Sequence, residues 1–570
     1  MNKKKLAAYI AAVMGSALIA GSSAFAGSAS ASTSAPESSP LAINLPSVSD
    51  WWNGKSGTAN WLGLGYLTKD YGLSIEGGAK ETYLGNATPT ARPQNTRGQG
   101  SGSPANIWGN EIKMNFIYDF GKVFGLNGLS IESDWRYREV NGSQNCPYAP
   151  NAAGTVGNSS MFNPDKDTSG MGIRIMQQFV QYVSGDAKDP QFLAKAGWIN
   201  PYEDFLRQPE SKNFENNAIA SAKGIGGAVY GYQNTGAKYA GTGANQSKYG
   251  VTAVPWSSSY ASWGGELRAK PSATTYLQTY LGLAIAGYAG VQSSPQNTAS
   301  YNNHGFNFQG TAPFNPSQPA APATPNGSKN NSAVYNYGQN GVYNVNEFGW
   351  EPKLGDAKLA GHYAIGNYIW GQNNSDYGSH SGNCTISGLY IQADQRLTAV
   401  QTSAPAAPSL SKNPVDSKNP APAAPAAYDK TRGLYSFTEA TYTAADACSL
   451  PFYFQTGLVY KGLFDARKND KTGIVWGEGF YSANLNSQIS STTGKASGYS
   501  SAYGVGQGNG AKYGYGSQNY STTGVFEYFY DFAINKWLDF VPDAQYIINP
   551  AGNGSCVNAL VLGATISAKF

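Results

Sequence analysis

LVLGATISAKF, Leu560–Phe570, closes the chain, and its residues divide by strict alternation. Leu560, Leu562, Ala564, Ile566, Ala568 and Phe570 fall on one face of an extended strand. Val561, Gly563, Thr565, Ser567 and Lys569 fall on the other. That period-2 split is the pattern of a β-strand with one apolar face. In a soluble protein a bare apolar row on an unpaired last strand invites edge-to-edge aggregation. In a closed barrel spanning a membrane the same row faces lipid, and the last strand pairs with the first. The expectation is an all-β fold, a transmembrane antiparallel β-barrel.

Composition agrees with a wall of strands. Charged residues make up 13% of the 570, about half of what globular chains carry. Aromatics are another 13%, led by 39 Tyr, and there are 69 Gly. Low charge with abundant Tyr and Gly suits aromatic girdles and long loops. Mean hydropathy is −0.38, and past the N-terminus no apolar run has the length a membrane helix needs. A helical membrane protein is excluded.

Lys3, Lys4 and Lys5, the apolar stretch Leu6–Ala20 and the triplet Ala24-Phe25-Ala26 read as an export signal peptide over residues 1–26. Ala29-Ser30-Ala31 is a second cleavage candidate, and no Cys nearby offers a lipid anchor. Residues 27–71 read as a periplasmic leader and cap. They are Ser/Ala/Pro-rich at first, then carry Trp51, Trp52, Trp61, Leu62, Leu64 and Leu67 at mixed spacing, as in a short helix. Removing the three signal Lys from the 39 basic residues leaves 36 against 35 acidic ones, so no nucleic-acid partner is expected. Cys146, Cys384, Cys448 and Cys556 fit no zinc spacing, and no metal or cofactor is expected. In an oxidising compartment their even number permits two disulfides.

The barrel is placed at residues 72–570, in segments of roughly ten alternating residues, the length of a tilted membrane strand. Sixteen are expected: Gly72–Gly85, Asn110–Gly121, Leu129–Val140, Gly172–Val183, Phe192–Asn200, Ala261–Lys270, Thr274–Ala286, Val342–Trp350, Ala357–Trp370, Gly388–Val400, Gly433–Thr443, Pro451–Lys461, Thr472–Leu485, Thr523–Ile534, Leu538–Ile548 and Leu560–Phe570. In the second, Ile112, Met114, Phe116, Tyr118 and Phe120 oppose Glu111, Lys113, Asn115 and Asp119. In the third, Leu129, Ile131, Trp135 and Tyr137 oppose Glu132, Asp134, Arg136 and Arg138. A one-residue slip would turn those four charges to hydrocarbon, at roughly 2–4 kcal/mol per Arg at the midplane. They therefore belong to a water-filled lumen.

Links sort into short periplasmic turns (KVFGLNG, GDAKDP, KPSA, KLGDA, INKW) and long outer loops rich in Gly, Ser, Asn and Tyr. The Ala/Pro tract Gln401–Ala427 is long yet falls on the periplasmic side by strand parity. Either it is a Pro-stiffened insertion or one strand is misplaced.

Three segments resemble the carbohydrate-selective (OprB-like) porins of Gram-negative outer membranes. They are DYGLSIEGGAKETYLGN at Asp70–Asn86, then AGWINPYEDF at Ala196–Phe205 with NFENNAI at Asn213–Ile219, and finally YKGLFDAR at Tyr460–Arg467 with DAQYIINPAGNGSCVNALVLGATISAKF to the end. The last strand is also similar to the terminal recognition strand of outer-membrane barrels. The resemblance implies passive passage of carbohydrates (monosaccharides such as glucose, small oligosaccharides or polyols) through a narrowed lumen. It implies an outer-membrane location amid lipid and lipopolysaccharide, delivery by the outer-membrane assembly machinery, and a homotrimer. The Pro/Ala-rich inserts at Asn315–Ser332 and Gln401–Ala427 depart from the family.

A sugar passage needs aromatic faces for pyranose C–H surfaces and charged or amide groups for hydroxyls, with contacts weak enough to release the solute. Glu132, Asp134, Arg136 and Arg138 form the leading lumen patch. Glu266, Arg268 and Lys270 repeat it on the sixth strand, and Gln392, Asp394 and Arg396 on the tenth. Mixed signs suit neutral hydroxylated solutes; the plainer reading is that opposite charges pair across strands and hold the wall. Arg207–Tyr260 is the candidate constriction loop, with Glu203, Asp204 and Arg207 at its root and Trp198 and Trp256 nearby. Against this, Asn200-Pro201 could simply turn the chain and Trp198 sit in the outer girdle.

His304 and His380 fall in loops and His362 on the lumen side of the ninth strand, with no nucleophile motif beside them. An enzyme is therefore disfavoured. Gly504–Gly508 lacks the Lys-Ser/Thr of a phosphate loop. The alternatives to a sugar porin are a general or ion-selective porin, or a structural or adhesive barrel whose loops bind partners.

Two expectations are open to measurement. Replacing Phe570 with Asp should impair assembly, read as loss of the heat-modifiable barrel from outer membranes; normal accumulation would contradict the reading of the last strand. Loop order places Cys384 near Cys448, and Cys146 near Cys556 once the barrel closes. Non-reducing peptide mapping should recover those two pairs, and four free thiols would exclude them.

Overall fold

The computed structural model describes residues 48–54, 67, 71–88, 106–141, 172–186, 189–220, 262–284, 341–374, 384–402, 427–444, 451–480, 483, 521–549 and 558–569. The wall strands are β1 (Leu73–Asn86), β2 (Asn106–Asp119), β3 (Leu129–Asn141), β4 (Gly172–Asp186), β5 (Asp189–Ile199), β6 (Ser262–Ser272), β7 (Thr275–Ala284) and β8 (Gly341–Trp350). They continue as β9 (Leu359–Asn374), β10 (Cys384–Arg396), β11 (Gly433–Thr443), β12 (Phe452–Lys461), β13 (Lys471–Phe480), β14 (Thr522–Ala533), β15 (Leu538–Ile548) and β16 (Ala559–Lys569). Each is antiparallel to the next in chain order. β16 returns to β1 in register from Gly78↔Lys569 to Asn86↔Val561, so the 16-strand barrel is closed. No described helix is long and apolar enough to cross a membrane.

Alternation sets the two faces. On β16, Leu562 is 45% exposed while Val561 is 1% exposed. The outward rows continue around the wall with Leu267, Leu281, Ile365, Leu389, Phe526 and Tyr546, all exposed. Inward, flat aromatic rings lie against glycines of neighbouring strands. A Cβ added at Gly349 would overlap the Tyr276 ring, and one at Gly366 the Tyr390 ring. Only glycine admits so close a ring.

The links match the two expected classes, with one difference in form. KVFGLNG is a helical turn, α2 (Phe120–Phe124), after a first helix α1 (Val48–Asn53). Asp119 caps α2 by accepting the Gly121 N–H, and Gly125 ends it at φ 73°. Trp52 of α1 meets Trp537 of the β14–β15 turn edge-on, centroids 6.2 Å apart. The Pro/Ala tract costs no wall strand. A two-residue ladder, Gln401↔Tyr428 and Thr402↔Ala427, forms its stem between β10 and β11, which selects the insertion reading. Of the cysteines, Cys384 opens β10, whereas Cys146, Cys448 and Cys556, like Phe570, lie outside the described residues.

The interior is not uniformly polar, as the sequence had suggested. After β5 the chain folds inward over Asn200–Ala220, through short 3-10 turns at Pro201–Glu203 and Ser211–Asn213 and the helical turn α3 (Asn217–Ala220). Phe214, Ala218 and Ile219 pack on Phe437, Tyr453, Val459, Val475, Val525, Phe529, Ile547 and Val561, all buried. Phe214 meets the Phe529 ring edge-on at 4.8 Å. The inner faces of β11–β16 combine this apolar patch, which seats the loop, with buried polar groups such as Glu439, Gln455, Glu527 and Gln545.

Polar ties fix its backbone. The Leu206 N–H donates to Glu347 Oε2 at 3.0 Å, holding Leu206 in a left-handed conformation, φ 49°. Glu527 accepts the Glu215 and Asn216 N–H groups. Asn216 Nδ2 donates to Gln545 at 2.9 Å, and Tyr453 Oη donates to the Ala218 carbonyl at 2.8 Å. Lys80 pairs with Glu215 at 2.6 Å and Lys461 with Glu210 at 2.7 Å. Glu527→Gln keeps the volume but leaves one of the two amides facing an NH2 group, about 1–3 kcal/mol against docking. Single-channel records of that variant should show added open-state noise at unchanged barrel stability; quiet, wild-type currents would mean the apolar seat alone holds the loop.

Candidate functional site

The inward rows of β2, β3, β5 and β6 face the first half of the infolded loop, opposite its apolar seat. Their charges pair locally. Glu111 meets Lys113 at 2.9 Å. Asn115 donates to Glu132 at 3.1 Å, and Arg136 contacts Asp134 at 3.1 Å. From the wall Arg136 reaches Glu203 on the loop at 3.4 Å, and Lys212 of the loop reaches the same carboxylate at 3.2 Å. Burial alone would raise the Glu203 carboxyl, but Lys212 and Arg136 beside it hold it below the usual carboxylate range. One step along, Lys195 contacts Asp204 at 2.7 Å and Glu266 at 3.9 Å, with its ammonium 5.0 Å from the Phe179 ring centroid.

Exposure separates groups that meet water from groups that hold the wall. Lys113 is 50% exposed, Lys212 40%, Glu203 24% and Arg136 11%. Two ammonium groups and one carboxylate thus face the open lumen, and Arg136 stands behind them between two acids. A neutral polyol meets donors and an acceptor within one stretch, each already partly satisfied by a neighbour. Such contacts can be exchanged without a deep well.

A second cluster lies at the feet of β6–β10. The Arg268 guanidinium stacks 3.9 Å from the Tyr276 ring centroid and pairs with Glu351 at 3.0 Å, and Lys270 pairs with Glu351 and Asp189. Tyr276 Oη donates to Glu347 at 2.6 Å and lies 2.8 Å from His362 Nε2, while His362 Nδ1 faces Asp394 at 3.4 Å. Tyr390 donates to the same Glu347 at 2.8 Å. This second cluster therefore shares the carboxylate that holds Leu206.

Several sequence expectations land elsewhere. Glu266 is buried behind Lys195 and does not meet the lumen. Arg396 turns away from the passage and donates to the carbonyls of Thr398, Lys430, Asp429 and Arg432. It clamps the stem of the Pro/Ala insertion, where the backbone N–H groups of Arg432 and Thr431 hold the Asp429 carboxyl below its ordinary range. Trp198 shares the row of Phe192, opposite Lys195, so by parity it lies on the outer face of β5. Arg207 is exposed. Arg138 is the backbone register partner of Glu111 between β2 and β3. Trp256, His304, His380 and Gly504–Gly508 lie outside the described residues. His362 is engaged by Tyr276 and Asp394; it is not a solvated histidine.

Sequence reading passed over Lys195, Lys212, Glu347 and Glu527. Lys195 and Glu347 were visible as the charged members of inward rows on β5 and β8. Glu527 was visible in the same way on β14, whereas Lys212 gave no such signal, because its importance comes from where the loop crosses.

Among proteins of known sequence, Porin B of Pseudomonas aeruginosa is 27% identical over 240 residues, covering 39% of this chain and 44% of the relative. The matched region spans less than half the length of that relative. The high-pH structure of Pseudomonas putida OprB superposes with a TM-score of 0.59 at 18% identity, over 91% of this chain and 99% of that one, a likeness of fold. The profile of the carbohydrate-selective porin, OprB family matches residues 94–570. With that match on a closed sixteen-strand wall, the chain belongs to the carbohydrate-selective porin family.

Proposed function

We propose that this protein is an outer-membrane channel through which neutral carbohydrates diffuse passively, between the docked loop Asn200–Ala220 and the charged rows of β2, β3 and β5. The observation that carries this is the Arg136–Glu203–Lys212 cluster. It joins the wall to the loop with alternating sign, at a place where Lys113 and Lys212 remain open to water. Fixed charges of both signs replace the water around sugar hydroxyls, through charge-assisted hydrogen bonds. They favour neither anions nor cations strongly, which supports a neutral solute over the ion-selective alternative. Family and fold are those of porins, which are channels and not enzymes. The resemblance further implies assembly of copies, three in number, within the outer membrane.

Liposomes carrying the purified protein should swell faster in glucose than in amino acids of similar size. In Arg136→Ala, Glu203 loses one of its two cations and Asp134 loses its partner. Glucose entry should fall several-fold, and the reversal potential in a salt gradient should move towards cation preference. Unchanged glucose entry together with an unchanged reversal potential would reduce the β3 row to a wall element and overturn this assignment.

A further inference from the structure

The segment YKGLFDAR runs from the end of β12 into its periplasmic turn, and the passage of solute makes no use of it. The turn, with a 3-10 stretch at Asp465–Arg467, is built around the buried carboxylate of Asp470. Asp470 Oδ2 accepts from Arg467 Nε at 2.7 Å and from Tyr530 Oη at 2.9 Å, and its Oδ1 accepts the Ala533 N–H at 3.2 Å. From the segment before β11, the Arg432 guanidinium donates to the Gly462 carbonyl at 2.9 Å and to Asp465 at 2.7 Å. The turn is thus tied to β14 on one side and to the entry of β11 on the other.

Its outer side meets the membrane. Strand parity puts Tyr530 and Phe532 in the outward row of β14 with the exposed Phe526 and Tyr528, opposite the buried Glu527 and Phe529. Tyr530 lies 4.4 Å from Phe532, ring centroid to centroid, and Phe532 stacks on Phe540 of β15 at 6.2 Å. Phe540 is in turn the register partner of the exposed Ile566 on β16. Aromatic rings at the periplasmic ends of outward rows form a girdle at headgroup level. The Arg467 guanidinium lies 5.7 Å from the Phe532 ring centroid, on the lipid side of that girdle. Lys195 and Arg268 stack on rings inside the barrel instead. Arg467 is 45% exposed; its Nε is engaged by Asp470, and its Nη groups meet no acceptor among the described residues. Lys468 beside it and Lys536 in the β14–β15 turn are exposed, and so are the apolar Leu463 and Phe464.

We infer that this rim is a docking site for an anionic glycerophospholipid of the periplasmic leaflet, with Arg467 holding the lipid phosphate. The two Nη groups form a planar fork that matches two phosphate oxygens, and both bonds are charge-assisted. Asp470 and the Phe532 ring already fix the guanidinium, so little freedom is lost when a phosphate arrives. From there acyl chains run up the wall over Phe540, Ile566 and Tyr528. Charge selects the headgroup. Asp465 is taken by Arg432 and Asp470 by Arg467, whereas Lys468 and Lys536 have no acid partner among the described residues. A second negative group meets unopposed lysines, and a headgroup ammonium meets the same lysines as like charge. The inference rests on the placement of the barrel in the outer membrane and is independent of which solute passes.

The test uses the full-length protein in nanodiscs containing equal amounts of phosphatidylglycerol and phosphatidylethanolamine, with retained lipid read by native mass spectrometry. The wild-type chain should keep phosphatidylglycerol over phosphatidylethanolamine about tenfold, and excess inorganic phosphate should not displace it, because the acyl chains are held too. In Arg467→Gln, Tyr530 and the Ala533 N–H still hold Asp470. Retained phosphatidylglycerol should nevertheless fall about tenfold, with the heat-modifiable barrel and glucose entry into liposomes unchanged. If that variant does not assemble, the headgroup comparison in the native chain decides alone. Equal retention of the two lipids, displacement by inorganic phosphate, or unchanged retention in an assembled Arg467→Gln would overturn the inference.

Discussion

A strand surrounded by hydrocarbon must pair every backbone N–H and C=O, because lipid supplies no substitute for water. Closure of β16 on β1 meets that demand for the last edge of the sheet. Once the ring is closed, each strand has one face for lipid and one for the interior, and a slip of one residue would invert both. The register therefore fixes where every charge lies. Glu132, Asp134 and Arg136 are inside because Ile131, Trp135 and Tyr137 are outside, and the same rule turns Lys195 inward, where the loop brings Asp204 to it.

The interior solves a second problem, that of holding a loop across a water-filled space. An unsupported chain there would lose its ordering entropy with little return. Here the return is divided between an apolar seat for Phe214 and Ile219 and buried carboxylates that accept loop N–H groups. Glu347 and Glu527 approach from opposite walls and act on the two ends of the described loop. The consequence is a fixed obstruction beside a charged margin. Passage then depends on Lys113, Lys212, Glu203 and Arg136, whose positions are set by the loop as much as by the wall.

The barrel was legible because it is written in a local code. Alternation over ten residues is visible without neighbours, and all sixteen wall strands fall on segments recognisable by period and turn residues. Boundaries moved by a few residues, as where KVFGLNG closes into a helical turn under the Asp119 cap. The site was half legible. Inward charge on β3 could be read from parity, and the acidic root Glu203-Asp204 from the NPYED turn. What could not be read was convergence, that Glu203 meets Arg136 and that Glu527 from β14 meets residue 215. The same limit concealed the apolar seat, since Val475 and Phe529 look like ordinary wall residues until the loop lies on them. Arg396 misled for the opposite reason: its parity is inward, but the carbonyls of a nearby turn claim the guanidinium.

The central claim is that a mixed-charge margin along a fixed loop admits neutral sugars. Its most direct measurement is the single-channel current through the purified protein in a planar bilayer as glucose is added at constant salt. The account predicts a current that falls saturably with sugar concentration, as solute and ions compete for the same polar contacts. A current that declines only in proportion to solution viscosity would contradict it.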